Sequence, residues 1–127
     1  MKVYDASALL ALLNAEPGAE RVQALLDEDD GAVASVNYTE VVAKLLDRGV
    51  VAAAAEEAWS SLRLPIHAVD AALAREAALL RPATRAQGLS LADRCCLALA
   101  RSLDNASVVT ADRAWKGVKG FRFVFVR

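Results

Sequence analysis

Four acidic residues occupy positions from which a chain of alternating strands and helices can bring carboxylates to one place. Asp5 ends the short extended run Lys2-Val3-Tyr4, and Glu40 lies in the first turn after a run ending at Val36. Asp93 lies in the first turn of a helical pattern opened by Ser90, and Asp112 stands two residues beyond a run ending near Thr110. Several carboxylates in one cleft repel each other, which is costly unless a cation compensates. Oxygen-only donors suit Mg²⁺ or Mn²⁺, held through carboxylates together with substrate phosphate. The chemistry such a site supports is activation of water against a phosphodiester. Ser7 and Thr110 add hydroxyls beside two of the acids, and Asn37 can position Glu40 or a water.

Each acid also has a purely local explanation. Asn37-Tyr38-Thr39-Glu40 and Ser90-Leu91-Ala92-Asp93 both carry the spacing of a capping box, in which the acid reaches back to the cap's backbone N–H. Asp5 can cap the helix that follows it, and Asp112 the turn that carries Trp115. Singly, the capping role is the simpler reading of each. Four such acids at strand-to-helix junctions are better explained by a shared site, because ligands in open α/β sheets bind beyond the carboxyl ends of the strands.

The elements that must position them follow from apolar periodicity. Strands are expected at 2–4, 32–36, 65–69, 106–110 and 121–126. Helices are expected at 7–14, 19–26, 37–48, 51–62, from a cap at Asp70 to Leu80, and 91–102. Glu16-Pro17-Gly18, Gly49 and Pro82 serve as breakers, and the acidic run Asp27-Glu28-Asp29-Asp30 reads as a solvated turn. The last helix is apolar on nearly every face, which marks it as buried. Strands alternating with helices predict an α/β/α three-layer fold, with a parallel sheet of four to five short strands in one domain, residues 1–127.

At 127 residues with 56% apolar side chains the chain can bury a sizeable core. No apolar run reaches the ~18 residues of a membrane span, and Asp5 interrupts what would be the core of a signal peptide, so a cytoplasmic protein is expected. A net charge of −1 means that any nucleic acid must bind through a local basic patch rather than the whole surface. Arg75, Arg81, Arg85, Arg101, Arg113, Lys116 and Lys119 are available for one, and Arg94 and Arg113, each next to an acid, are candidate RNA contacts. Adjacent Cys95 and Cys96 have the spacing of neither a metal cage nor a disulfide framework and read as core, as do Tyr4 and Trp115. The lone His67 makes neither a triad nor a zinc site.

Val3-Tyr4-Asp5-Ala6-Ser7, Asn37-Tyr38-Thr39-Glu40, Leu89-Ser90-Leu91-Ala92-Asp93 and Val109-Thr110-Ala111-Asp112-Arg113-Ala114-Trp115 resemble, in this order, the motifs of PIN domains. The chain is similar in particular to VapC-type toxins of type II toxin–antitoxin pairs, over essentially its whole length. The resemblance implies an acidic site of Asp5, Glu40, Asp93 and Asp112, with Asp5, Asp93 and Asp112 as metal ligands and Ser7, Asn37 and Thr110 in support. It further implies Mg²⁺- or Mn²⁺-dependent endoribonuclease (hydrolase) activity, a cognate antitoxin and a homodimer. One departure is that Arg113, Ala114 and Trp115 stand where family members often carry further acidic or asparagine residues, so a second metal would be held less firmly.

The function expected is therefore hydrolysis of RNA phosphodiester bonds, with either Glu40 or Asp93 orienting or deprotonating the water. The leucines of the first two helices exceed what a sheet requires and offer a face for an antitoxin helix. Two alternatives stand beside this. A metal-dependent phosphatase of haloacid-dehalogenase type needs a second acid two residues after the first, where this chain has Ser7. A catalytically idle PIN scaffold that binds protein or RNA would have little use for all four acids.

Overall fold

The computed structural model describes all 127 residues, beginning with strand β1 (Lys2–Tyr4), helix α1 (Ala6–Leu13) and helix α2 (Ala19–Glu28). Next come β2 (Gly31–Ala34), α3 (Ser35–Asp47), α4 (Ala52–Ser61) and the two-residue strand β3 (Ile66–His67). The second half holds α5 (Ala71–Leu79), the single turn α6 (Arg81–Thr84), α7 (Leu91–Ser102) and β4 (Ser107–Thr110). A 3₁₀ turn over Arg113–Gly117 leads to β5 (Phe123–Phe125). The sheet order is β3-β2-β1-β4-β5, with every neighbouring pair parallel. This is the expected α/β/α arrangement, with five strands.

The strands are short apolar runs because both faces of the sheet are covered. Val3, Ala32, Ala34 and Val108 point into a core with α5 and α7, and Tyr4, Val33 and Val109 point into a core with α1 to α4. From β1 the chain steps outward through β2 to β3, with its helices on one face. It then crosses to the other face through α5, α6 and α7 and returns to the sheet as β4, on the opposite side of β1. The order of strands therefore reverses between β1 and β4, and the crevice opens at their carboxyl ends. Helix α7 runs back towards the start of β4, so its N-terminus lies at that same edge.

Cys95 and Cys96 are free and buried, and Tyr4 and Trp115 lie fully inside the core, as expected. No helix is long and apolar enough to cross a membrane.

Two local expectations are corrected. Helix α3 starts at Ser35 rather than Asn37, with Ala34 as a cap that has no side-chain hydrogen bond, so Asn37-Tyr38-Thr39-Glu40 is not a capping box. Tertiary packing overrides the local motif: Ser35 Oγ accepts from Val69 N at 3.1 Å, and Asn37 is drawn inside to donate to the Ala92 carbonyl at 3.1 Å. The acidic run begins as the last turn of α2, and Asp29 then pairs with the Met1 amine (2.6 Å) and Lys2 (3.3 Å). Helix α5 ends at Leu79, ahead of Pro82 as expected, and Pro82 itself sits in the first turn of α6, where its missing N–H costs nothing.

Two glycines with positive φ allow a comparison. Gly18 (φ +99°) caps the start of α2 and Gly49 (φ +92°) follows α3, but a methyl added at Gly18 would lie 2.7 Å from the Val126 carbonyl oxygen, and at Gly49 it would meet nothing within 4 Å. Gly49→Ala should therefore cost only the left-handed penalty, about 1 kcal/mol. Gly18→Ala should cost more, because the exit of β5 must also move. Urea unfolding of both variants checks the order, and equal losses would contradict the close packing of this turn on the C-terminal segment.

Candidate active site

Asp5 extends the β1–β4 ladder, its N–H donating to the Val109 carbonyl at 3.1 Å, and then turns the chain into α1 as its N-cap. Its side chain is enclosed, 2% of the residue remaining exposed. Ala8 N donates to Oδ1 at 2.9 Å, and Thr110 Oγ1 donates to Oδ2 at 2.9 Å. Ser7 Oγ lies 2.8 and 2.9 Å from the two carboxylate oxygens and shares its one proton between them. Each hydroxyl is itself fixed by a backbone donor. Ala111 N donates to Ser7 Oγ (2.9 Å), and Asp112 N donates to Thr110 Oγ1 (3.0 Å), which leaves both hydroxyl protons aimed at Asp5. The residues after β4 thus hold Asp5 as an acceptor across more than a hundred positions of sequence.

Burial nevertheless pushes the Asp5 carboxyl up from 3.8 to about 6, against the hydrogen bonds from Ala8, Ser7 and Thr110, with the charge of Asp93 adding to the rise. Asp93 is raised too, by burial first, and by Asp112 among its charged neighbours, while Lys44 opposes. The thiol of Cys96, one turn into α7 from Asp93, lies well above its ordinary value through burial and through the charges of Asp5, Asp93 and Glu40. The charges of three of the four acids are thus felt at one buried sulfur, and that of Asp112 at Asp93. None of the seven ion pairs in the molecule involves Asp5, Asp93 or Asp112.

The local capping roles are also real. Asp93 and Ser90 form the expected capping box, with Ser90 N donating to Oδ2 at 2.9 Å and Asp93 N to Ser90 Oγ at 3.1 Å. Asp112 is exposed and accepts from Ala114 N at 2.9 Å, starting the 3₁₀ turn. No three acids converge closely enough to grip one ion between them. The donor set still fits a magnesium-like ion, which is held by one or two carboxylates and keeps several waters through which further acids can act. Two orphaned atoms point the same way: Glu40 Oε1 and Asn37 Oδ1 are buried without any partner, although Glu40 Oε2 takes Lys44 at 3.4 Å. A buried oxygen without a donor is costly in a folded protein and is commonly the mark of an ion or water.

The two arginines separate. Arg94 is partly buried and donates to the Ala77 carbonyl at 3.3 Å, tying α7 to α5 instead of facing the crevice. Arg113 is exposed beside Asp112, with its guanidinium 5.5 Å from the Phe125 ring centre, and donates to the Arg127 carbonyl at 3.1 Å. Three cations on the other flank, Lys44, Arg48 and Arg127, were not singled out by sequence. They line a cleft with Ser7, and only the folding of α3 against the C-terminal segment unites them.

The Asp5 environment has a sign that can be tested. Its folded value of about 6 exceeds the ordinary 3.8, so between those pH values the folded state holds a proton that the unfolded chain releases. The resulting stabilisation is complete below about pH 4 and is lost as pH rises to about 6, on the order of 3 kcal/mol for a shift of this size. Asp5→Asn lacks this dependence. Urea unfolding of the metal-free proteins should show the variant gaining on the parent from pH 4 to 6 and holding its lead to pH 7. A constant difference across that range would mean that Asp5 is solvated.

The sequence matches the family model described as PIN domain over residues 2–120. No curated protein matches it. Among solved structures, a toxin–antitoxin complex from Klebsiella pneumoniae is similar at a TM-score of 0.75 and 20% identity, covering 100% of this chain and 98% of that one. VapBC2 from Rickettsia felis, bound to a DNA fragment from its promoter, gives 0.69 at 18% identity, with coverage of 97% and 96%. FitAcB from Neisseria gonorrhoeae gives 0.68 at 20%, with coverage of 98% and 97%. With the family model spanning nearly the whole chain and the Asp5 crevice set at the sheet's reversal point, this chain belongs to the PIN-domain family.

Proposed function

We propose that the protein is a divalent-metal-dependent endoribonuclease, the toxin of a VapC-type toxin–antitoxin pair. The observation that carries this reading is the buried Asp5, lying within electrostatic reach of Asp93 and, through it, Asp112, with no cation paired to any of the three. Acids raised by burial and by one another's charge at a ligand-binding edge mark a candidate site for a cation. The chain's membership of the family and the toxin–antitoxin complexes among its structural neighbours support the same assignment.

One or two of Asp5, Asp93 and Asp112 would hold the ion directly and the rest through its waters; when bound it offsets the charge developing on a phosphodiester and eases deprotonation of water. Thr110 and Ser7 keep Asp5 in its acceptor orientation, so that its oxygens do not rotate away when substrate enters. Glu40, with Oε1 free of any partner, is the better placed of the two candidate bases to take the proton from the attacking water. Asp93 is already committed through Oδ2 to the cap of α7. Attack by water requires no 2′-hydroxyl and leaves a 5′-phosphate and a 3′-hydroxyl.

Partners follow from the surface. A groove of about 970 Å³ runs between α1, α2 and the segment after α4, with Leu12, Leu13, Leu26 and Leu64 inside it and Asp27 and Asp30 on its rim. A groove that mixes these leucines with acids suits an amphipathic antitoxin helix carrying basic side chains. Leu79 and Leu91, exposed on the packed pair α5 and α7, offer apolar surface to a second copy of the chain.

Purified protein should cut single-stranded RNA in Mg²⁺ or Mn²⁺, stop cutting in EDTA, and leave ends that accept ligation as 5′-phosphates. Asp5→Asn should abolish cleavage. Thr110→Val, which removes only the orienting hydroxyl, should lower it about 10–100-fold, the usual size of an outer-shell effect. An Asp5→Asn protein that cuts at the parent rate would overturn the assignment.

A further inference from the structure

The cleft beside Ser7 is where the basic side chains gather. It holds about 340 Å³ and presents Lys44, Arg48 and Arg127 against the acids Glu16 and Asp47, with Asn14 as a neutral donor. Ser7 is the residue whose hydroxyl contacts both oxygens of Asp5, so the cleft borders the acidic site through this one side chain, and none of the four acids lines it. Its cations come from distant parts of the chain. Lys44 and Arg48 lie one turn apart at the end of α3, and Arg127 follows β5.

The charges are placed with one carboxylate between two guanidinium groups. Glu16 lies 3.1 Å from Arg127 Nη1 and 3.6 Å from Arg48 Nη2. Arg127 also donates to the Pro17 carbonyl at 3.3 Å, and its own carbonyl accepts from Arg113 at 3.1 Å. A strip Arg113–Arg127–Arg48 results, with Lys44 one turn further along α3, beside Glu40. The Arg48 and Arg127 side chains are 60% and 39% exposed, so their donors are only partly used. Exposed pairs of this kind contribute little to stability. The three cations of the cleft face two carboxylates, Glu16 and Asp47, which leaves its lining one positive charge in excess, although Lys44 also pairs with Glu40.

We infer that this cleft is the exit track for the RNA backbone: Arg48, Arg127 and Lys44 bind the phosphates that flank the scissile one, in a strand laid across Ser7. The inference rests on the ribonuclease reading and assigns to that site the path of its substrate. Guanidinium groups suit phosphate through paired donors, and the ammonium of Lys44 adds a point charge. Glu16 spaces the two arginines when the cleft is empty and competes with phosphate for them when it is filled. A peptide carboxylate would find the same donors, and it is an outcome the test must separate.

Binding of a fluorescent single-stranded RNA is measured in EDTA with the Asp5→Asn protein, so that cleavage plays no part. Arg48→Gln and Arg127→Gln, added singly, should weaken binding at least 5-fold at low salt. Each should flatten the slope of log affinity against log salt by about 0.7, the value for one lost single-strand phosphate contact. Glu16→Gln should do the opposite and tighten binding. If these pairs only fastened the C-terminal segment, all three variants would lower thermal stability together and leave RNA affinity unchanged, which would overturn the proposal. Loss of binding to an acidic peptide with RNA binding intact would also overturn it. In the background that retains Asp5, Arg48→Gln should raise KM with kcat kept, and failure of this split alongside metal-dependent cleavage would reject the track but leave the ribonuclease standing. Absence of any cleavage by the parent would reject the ribonuclease itself.

Discussion

The structure depends on one carboxylate taken out of water. Asp5 sits at the end of the central strand, enclosed and held by three neutral donors, with other acids as its nearest charged neighbours. Neutral hydrogen bonds favour the ionised form, yet burial outweighs them and moves the group to about 6. At neutral pH the carboxylate is therefore ionised at a cost. Its hydroxyl partners cannot turn away, because backbone N–H groups of Ala111 and Asp112 occupy their acceptor sides. The loop after β4 is thereby specified by the end of β1, and the two are adjacent only because the sheet reverses its order there.

That reversal organises everything near the crevice. Helices α1 and α3 leave from one face and α7 arrives on the other, so the starts of all three helices meet at the carboxyl edge of β1, β2 and β4. The acids are caps and candidate ligands at once, and the two roles are compatible. A cap uses one oxygen of a carboxylate: Asp93 gives Oδ2 to Ser90 and Asp112 gives Oδ1 to Ala114, which leaves the other oxygen of each free. The dual use also explains how the chain tolerates the cluster, since helix N-termini favour negative charge.

Much of this was legible in the sequence because it is local. Asp5, Ser90-Leu91-Ala92-Asp93 and Asp112 lie within a few residues of the groups they cap, and the buried helix 91–102 was evident from its lack of a polar face. Period-two alternation does not show in strands of two to four residues covered on both faces, so outside β1 their expected ends miss the observed ones by up to two residues. Asn37 and Glu40 were placed at the right edge for the wrong reason: Asn37 faces Ala92 from inside α3, a contact across 55 positions that no spacing motif encodes. The basic cleft was not legible at all. Lys44, Arg48 and Arg127 look like ordinary surface charges, and only the packing of α3, the turn at Glu16 and the end of β5 brings them together. Of the arginines next to an acid in sequence, Arg94 braces α5.

The central claim is that the uncompensated charge at Asp5 exists for a divalent cation. Calorimetric unfolding at pH 7, with and without Mn²⁺ or Mg²⁺, measures this without reference to any substrate. An ion that binds only the folded state at a hundred times its Kd stabilises by about 2.7 kcal/mol, a rise of several degrees in Tm for a domain of this size. The account predicts such a rise for the parent, its disappearance near pH 4 where Asp5 holds its proton, and little or none in Asp5→Asn. Equal shifts in the parent and in Asp5→Asn, or none in either, would contradict it.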